Sequence, residues 1–132
     1  MHCVSAYPCD DDRINLNRIN WLKGLNKRVG FSDHSQSTVV PALAIPLGIE
    51  VIEKHFTTDH NLPGRDNKFA LLPNDFKNLS INKDHEILSI CKSGERSQFV
   101  AGLLEKENYK SANISDGFDG WLSCDLPSLK EI

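Results

Sequence analysis

The sequence predicts an α/β fold built on parallel strands, and three observations carry that reading. Two stretches, 29–56 and 86–115, each run strand, helix, strand, with short apolar runs on either side of a helical one. A helix linking two short strands is a βαβ unit, so the strands are parallel and their C-terminal ends share a side. His34 and His55 close the two strands of the first stretch, and Cys91 closes the first strand of the second. Parallel α/β folds hold their ligands at that edge.

Taken in order, Met1–Pro8 (MHCVSAYP) reads as a first strand. Asp10, Asp11 and Asp12 suit the N-cap and dipole of a following helix better than a metal site. Leu16, Ile19, Leu22 and Leu25 then repeat at helical spacing, with Trp21 off the stripe. Val29–Ser32 is a second strand, ending in Asp33-His34. Ser35–Thr38 is a polar lead into a helix whose apolar body is Val39–Leu47, with Gly48 as its stop and Pro46 predicting a kink. Ile49–Phe56 is a third strand, ending in Glu53-Lys54-His55. Thr57–Phe76 is a long polar loop with a Pro63-Gly64 turn, and Pro73-Asn74-Asp75 starts a helix that has little room.

A second unit begins near Asp84. Glu86–Ile90 is a strand, Cys91–Ser97 a tight loop, and Gln98–Asn108 a helix with Val100, Leu103, Leu104 and Tyr109 on one face. Ser111–Ser115 is a further strand, and Gly117–Trp121 a turn with aromatic plugs; the tail Leu122–Ile132 has no clear period. The sequence leaves open whether both sets of strands join into one parallel sheet.

Composition narrows the function classes. At 132 residues the chain makes one modest domain or two half-sized pieces, and 39% hydrophobic with 25% charged residues is ordinary for a soluble protein. A net charge of −3 gives no electrostatic case for nucleic acid or an anionic membrane. The four cysteines include no CxxC pair and follow no secretory signal, which points to a reduced, cytoplasmic setting. The longest apolar stretch, Val39–Ile49, contains Pro41 and Pro46 and is too short to span a bilayer.

Two places carry chemistry. Neighbouring strands lie about 4.8 Å apart, so His34 and His55 can converge on one ion or anionic ligand. Spacing alone leaves this reading beside a blander one, two histidines that satisfy hydrogen bonds near strand ends. Ser32, Asp33, Glu53 and Lys54 favour the site, because a simple buried strand would be apolar there. At Cys91, a cysteine ends a strand, Gly94 and Arg96 follow, and a helix starts at once. Such a loop wraps backbone N–H groups around the sulfur while the helix N-terminus adds positive potential, favouring the thiolate. Arg96 would add charge, whereas Cys3, Cys9 and Cys124 lack such a setting and read as inert.

The first part of the chain resembles the C-terminal portion of sialic acid synthases. The motifs are His2-Cys3 on a strand, Ser32-Asp33-His34, Ile52-Glu53-Lys54-His55-Phe56 and Leu62-Pro63-Gly64-x-Asp66, over about residues 2–77. The resemblance implies the last three strands of a (β/α)8 barrel that condenses phosphoenolpyruvate with N-acetylmannosamine or a related amino sugar. It implies a divalent metal, manganese or magnesium, on His34 and His55. By the same resemblance Ser32 contacts phosphoenolpyruvate, Tyr7 and Ser5 lie near the sugar, and Glu53 and Asp66 are acidic groups beside the metal and the reacting sugar. The family's earlier strands and phosphoenolpyruvate-binding lysines have no counterpart, so the chain reads as a fragment without synthase turnover of its own, whose open sheet edges allow association into a homo-oligomer.

The stretch Lys83–Trp121 resembles the C-terminal half of rhodanese-like sulfurtransferases, dividing the chain into residues 1–80 and 81–132. Their Cys-x-x-Gly-x-Arg loop is met by Cys91, Gly94 and Arg96, and GFDGW is similar to the Gly-rich, Trp-ended segment that follows. The resemblance implies a persulfide on Cys91 loaded by a sulfur donor, held by Lys92, Ser93, Gly94 and Glu95, with Arg96 beside it. Beside these two activities stands a non-catalytic reading, a product that binds metal weakly or associates through its edges.

Overall fold

Short runs of two to four residues form parallel strands in both halves of the chain. The structure, a computed structural model, describes residues 1–79 and 82–124. The chain divides into two compact units, Met1–Ile81 and Asn82–Ile132.

In the first unit, strands β1 (His2–Cys3), β2 (Gly30–Asp33) and β3 (Val51–Lys54) form a parallel sheet in the order β1-β2-β3. The register pairs Cys3 with Ser32, Ser32 with Glu53 and Asp33 with Lys54. Helix α1 (Arg18–Leu25) and the short α2 (Val40–Ala44) connect the strands. The core is Cys9, Ile14, Ile19, Val29, Phe31, Val40 and Ala44. Buried His2 stacks on Phe31 and donates from Nε2 to the Ile14 carbonyl at 2.6 Å, so it is held inside with a partner.

Several expected boundaries shift, each for a local reason. The first strand stops at Cys3, because a tight turn from the Ala6 N–H to the Val4 carbonyl bends the chain. The three aspartates lead a 3-10 turn over Asp11–Arg13 without a side-chain cap bond, and α1 starts only at Arg18, so they do not cap it. On α1, Ile19 is fully buried while Trp21 and Leu25 are exposed. The helix after His34 is α-helical only to Ala44. Pro46 lacks an N–H, the last turn tightens to 3-10 over Ile45–Leu47, and Gly48 ends it at φ +76°. The long loop returns to the sheet side through an isolated bridge between Phe56 and Leu71, then enters helix α3 (Pro73–Lys77).

The second unit holds β4 (Glu86–Ser89) and β5 (Lys110–Asn113), paired parallel, with α4 (Glu95–Lys106) between them and α5 (Gly117–Ser123) after. The strands of the two units therefore form separate sheets of three and two strands among the described residues. Helix α4 begins three residues before its expected start, at the end of the Cys91 loop. Gly117–Ser123 is a helix rather than a turn, and Phe118 is exposed rather than a plug. The tail from Asp125 onward lies outside the described residues. Among those residues no helix is long and apolar enough to cross a membrane.

Candidate functional site

The β2–β3 register decides which side chains meet. Successive residues of a strand point to opposite faces, so Ser32 and His34 share a face with Glu53 and His55. His34, Glu53 and His55 each offer a donor atom, and these atoms lie within 4.8 Å of one another. Two imidazoles and a carboxylate suit a divalent first-row metal.

The surroundings prepare these donors. His34 Nδ1 lies 2.8 Å from the Val4 carbonyl, which accepts its N–H and leaves the Nε2 lone pair pointing into the cluster. A backbone carbonyl on the far nitrogen is the usual way a ligating histidine has its tautomer fixed. The Tyr7 hydroxyl donates to Nε2 at 3.1 Å, the position a metal would take. Ser32 Oγ donates to Glu53 Oε2 at 2.6 Å and lies 3.2 Å from His34 Nε2, orienting the carboxylate toward the histidine. The donor set thus fits a metal.

Aromatic rings wall the cluster. Tyr7 stacks on His34 with centroids 4.0 Å apart, and the His34 and His55 rings lie 5.4 Å apart. Phe69, brought back by the long loop, touches both Tyr7 and His55. Burial pushes the Tyr7 phenol above its ordinary range; Cys3, Asp66 and Glu53 push the same way, and Arg65 opposes them. Tyr7 is therefore a protonated donor at neutral pH.

Of the residues expected here, Tyr7, Ser32, His34, Glu53 and His55 come together. Asp66 is exposed on a 3-10 turn and reaches the cluster through its charge on Tyr7. Ser5 is exposed, and among the described residues no hydrogen bond ties it to the cluster. Cys3 was expected to be inert, yet its Sγ lies 3.6 Å from His34 Nε2. Its pairing with Ser32 places it there, and the alternation of β1 was the signal. Phe69 and Arg65, whose guanidinium sits 5.9 Å from the Tyr7 centroid, went unforeseen because loop geometry is not periodic.

The second unit presents Cys91 at the mouth of a backbone cradle. Burial disfavours its thiolate, but hydrogen bonds from the Ser97 hydroxyl and the N–H groups of Ser97, Gly94 and Ser93 outweigh it and bring the thiol down to about 7. Ser97 Oγ lies 3.4 Å from Sγ. The loop is tied to α5 by the Phe118 and Asp119 N–H groups, which donate to the Cys91 and Lys92 carbonyls at 2.8 and 2.9 Å. Gly94 (φ +86°) and Gly117 (φ +55°) permit this approach; a Cβ on Gly94 would stand 2.7 Å from the Asp116 nitrogen. Arg96, expected to supply positive charge, is exposed and is not among the main causes of the shift. Lys92, Ser93 and Glu95 line the loop's exposed side.

Known proteins resemble this chain over much of its length. A spore coat polysaccharide biosynthesis protein, SpsE, of Bacillus subtilis is 46% identical over 82 residues, covering 60% of this chain and 22% of that protein. Its crystal structure superposes with a TM-score of 0.53 over 57% of this chain and 22% of its own. The N,N'-diacetyllegionaminic acid synthase of Legionella pneumophila is 38% identical over 97 residues, 73% of this chain and 27% of that enzyme. The pseudaminic acid synthase of Helicobacter pylori is 34% identical over 117 residues, 86% of this chain and 33% of its own. The chain thus spans about a fifth to a third of the length of these relatives. The model of the NeuB family matches residues 1–94, beyond the residue 80 boundary and through the Cys91 loop to Gly94. With most of its length matched by that model, the chain belongs to the NeuB family.

Proposed function

We propose that residues 1–80 carry the metal-binding corner of a synthase that condenses phosphoenolpyruvate with an N-acetyl amino sugar. The observation that carries the reading is the convergence of His34, Glu53 and His55 at two adjacent strand ends, with His34 already turned by Val4 to offer Nε2. Relatives named as synthases of legionaminic and pseudaminic acids support the reaction class. A divalent metal, Mn²⁺ in this reading, would be held by His34, Glu53 and His55 and would raise the electrophilicity of the sugar aldehyde. The chain's own residues do the rest of the work at this corner. Ser32 holds Glu53 toward the donors, Tyr7 packs beside His34 as a hydrogen-bond donor for a bound oxygen, and exposed Asp66 acts through its charge on Tyr7. Ser32 is assigned to phosphoenolpyruvate, and Ser5 and Tyr7 to the sugar.

The test is calorimetric titration of Mn²⁺ into the chain beside the His34→Ala/His55→Ala variant. About one site per chain, absent from the variant, is the expected result. A folded wild-type chain without saturable binding would overturn the reading.

A second reading rests on the geometry of the Cys91 loop alone: sulfur transfer through a Cys91 persulfide. The Cys91 thiolate attacks the outer sulfur of thiosulfate, forming an S–S bond, and sulfite leaves with the electron pair of the broken bond. Cyanide then takes the outer sulfur as thiocyanate and returns the thiolate. The Ser97 hydroxyl 3.4 Å from the Cys91 sulfur, at the mouth of a loop whose N–H groups favour the thiolate, is the observation that favours it. Thiocyanate formation abolished in Cys91→Ser is the expected outcome; a rate unchanged in that variant would exclude it.

A further inference from the structure

We infer that the buried ion pair between Asp33 and Lys54 is a positioning device that sets the spacing of His34 and His55. Lys54 Nζ lies 2.7 Å from Asp33 Oδ2, and the two side chains are 6% and 0% exposed. Burying two charges is costly, and replacing such a pair by apolar residues of similar volume is often neutral or stabilising. The pair therefore needs a reason beyond stability, and its place in the sheet supplies one.

Asp33 and Lys54 are the last register partners of the β2–β3 ladder. The residues that follow each of them are the two histidines, which lie past the last paired rung, where backbone pairing no longer fixes the separation of the chains. The ion pair is the cross-strand link at that last rung, on the sheet face opposite Ser32 and Glu53. It also holds His34 from both sides. Asp33 Oδ1 accepts the Ser35 N–H at 2.9 Å, and Lys54 Nζ donates to the Ser35 carbonyl at 2.7 Å. His34 thus sits between two residues that the same ion pair fixes, and His55 follows the lysine directly. Neither Asp33 nor Lys54 belongs to the donor set; both act through the backbone of the residues that do.

This inference rests on the metal reading of the cluster, and the experiment separates the two. Mn²⁺ affinity is measured by calorimetry for the wild-type chain, for Asp33→Asn/Lys54→Met, which removes both charges at similar volume, and for Lys54→Arg, which keeps the charge on a differently shaped head. Thermal melts establish that each is folded. The double variant should bind Mn²⁺ about 10–100-fold more weakly, the range typical when an outer partner of a metal ligand is removed. Lys54→Arg should fall between it and wild type. A folded double variant with wild-type affinity overturns the inference; if the double variant does not fold, wild-type affinity in Lys54→Arg does so. A second readout needs no metal. With the rings 5.4 Å apart, metal-free wild type should show nuclear Overhauser contacts between the His34 and His55 ring protons. Loss of those contacts in a folded variant sustains the positioning role even if the wild-type chain binds no Mn²⁺, and their retention in every folded variant overturns it.

Discussion

The two candidate sites are made from different materials. In the first unit the reactive groups are side chains at neighbouring strand ends, and other side chains contact and aim them: Ser32 on Glu53 and Tyr7 on His34. In the second unit the reactive group is one thiol, and it is tuned by the Ser97 hydroxyl and by backbone N–H groups in a loop that two glycines allow to close. A side-chain site fails when a donor is truncated. A backbone site tolerates most side-chain changes and fails when a Cβ is added. The predictions below break the comparison at its largest expected effects first.

The deepest cut is Phe31→Ala. Phe31 is 1% exposed and lies in the core beneath β2, stacked on His2. Its truncation should cost about 3–5 kcal/mol, read by chemical denaturation of the first unit. Metal binding should be lost with folding, whereas Cys91 reactivity should persist if the units fold independently. Next is His34→Ala/His55→Ala, which leaves the core intact. At Mn²⁺ about 100-fold over the dissociation constant, wild type should gain about 2.7 kcal/mol of stability, and the variant should gain none.

Gly94→Ala attacks the other kind of site. The residue adopts φ +86° and its new Cβ would meet the Asp116 backbone, so the loop must open at a cost of about 1–3 kcal/mol. Cys91 should then alkylate at the rate of an ordinary thiol, while Mn²⁺ binding stays unchanged. An unchanged Cys91 rate in a folded Gly94→Ala protein would show that the cradle does not tune the sulfur.

This contrast also explains what could be read in advance. The first site was legible because its residues obey strand periodicity: Ser32 and His34 alternate on one strand, Glu53 and His55 on the next, and parallel pairing brings them to one face. The parallel α/β class was legible for the same reason. What escaped was set by local backbone geometry. The first strand was read to Pro8, but the turn at Val4–Ala6 ends it and delivers Tyr7 to the histidines from a loop. Phe69 arrives from a return path that has no period, through the Phe56–Leu71 bridge. At Cys91 the sequence indicated backbone N–H groups around the sulfur, and those of Ser97, Gly94 and Ser93 act there; the charge expected from Arg96 is not among the main causes, and the Ser97 hydroxyl went unforeseen.

The smallest effect sharpens that last point. A thiol at about 7 is half ionised near neutral pH, whereas an ordinary cysteine, near 8.5, is a few per cent ionised there. The iodoacetamide rate at Cys91, followed on its own peptide by mass spectrometry, should therefore rise with pH and reach half its plateau near 7. Hydrogen bonds to the thiolate lower the pKa, so Ser97→Ala, which removes the hydroxyl 3.4 Å from the sulfur, should move the inflection upward and slow alkylation at pH 7. Arg96→Gln should leave the inflection in place. If Arg96→Gln moved it as far as Ser97→Ala does, charge would hold the thiol as much as hydrogen bonding does, and the account of the Cys91 cradle would fail.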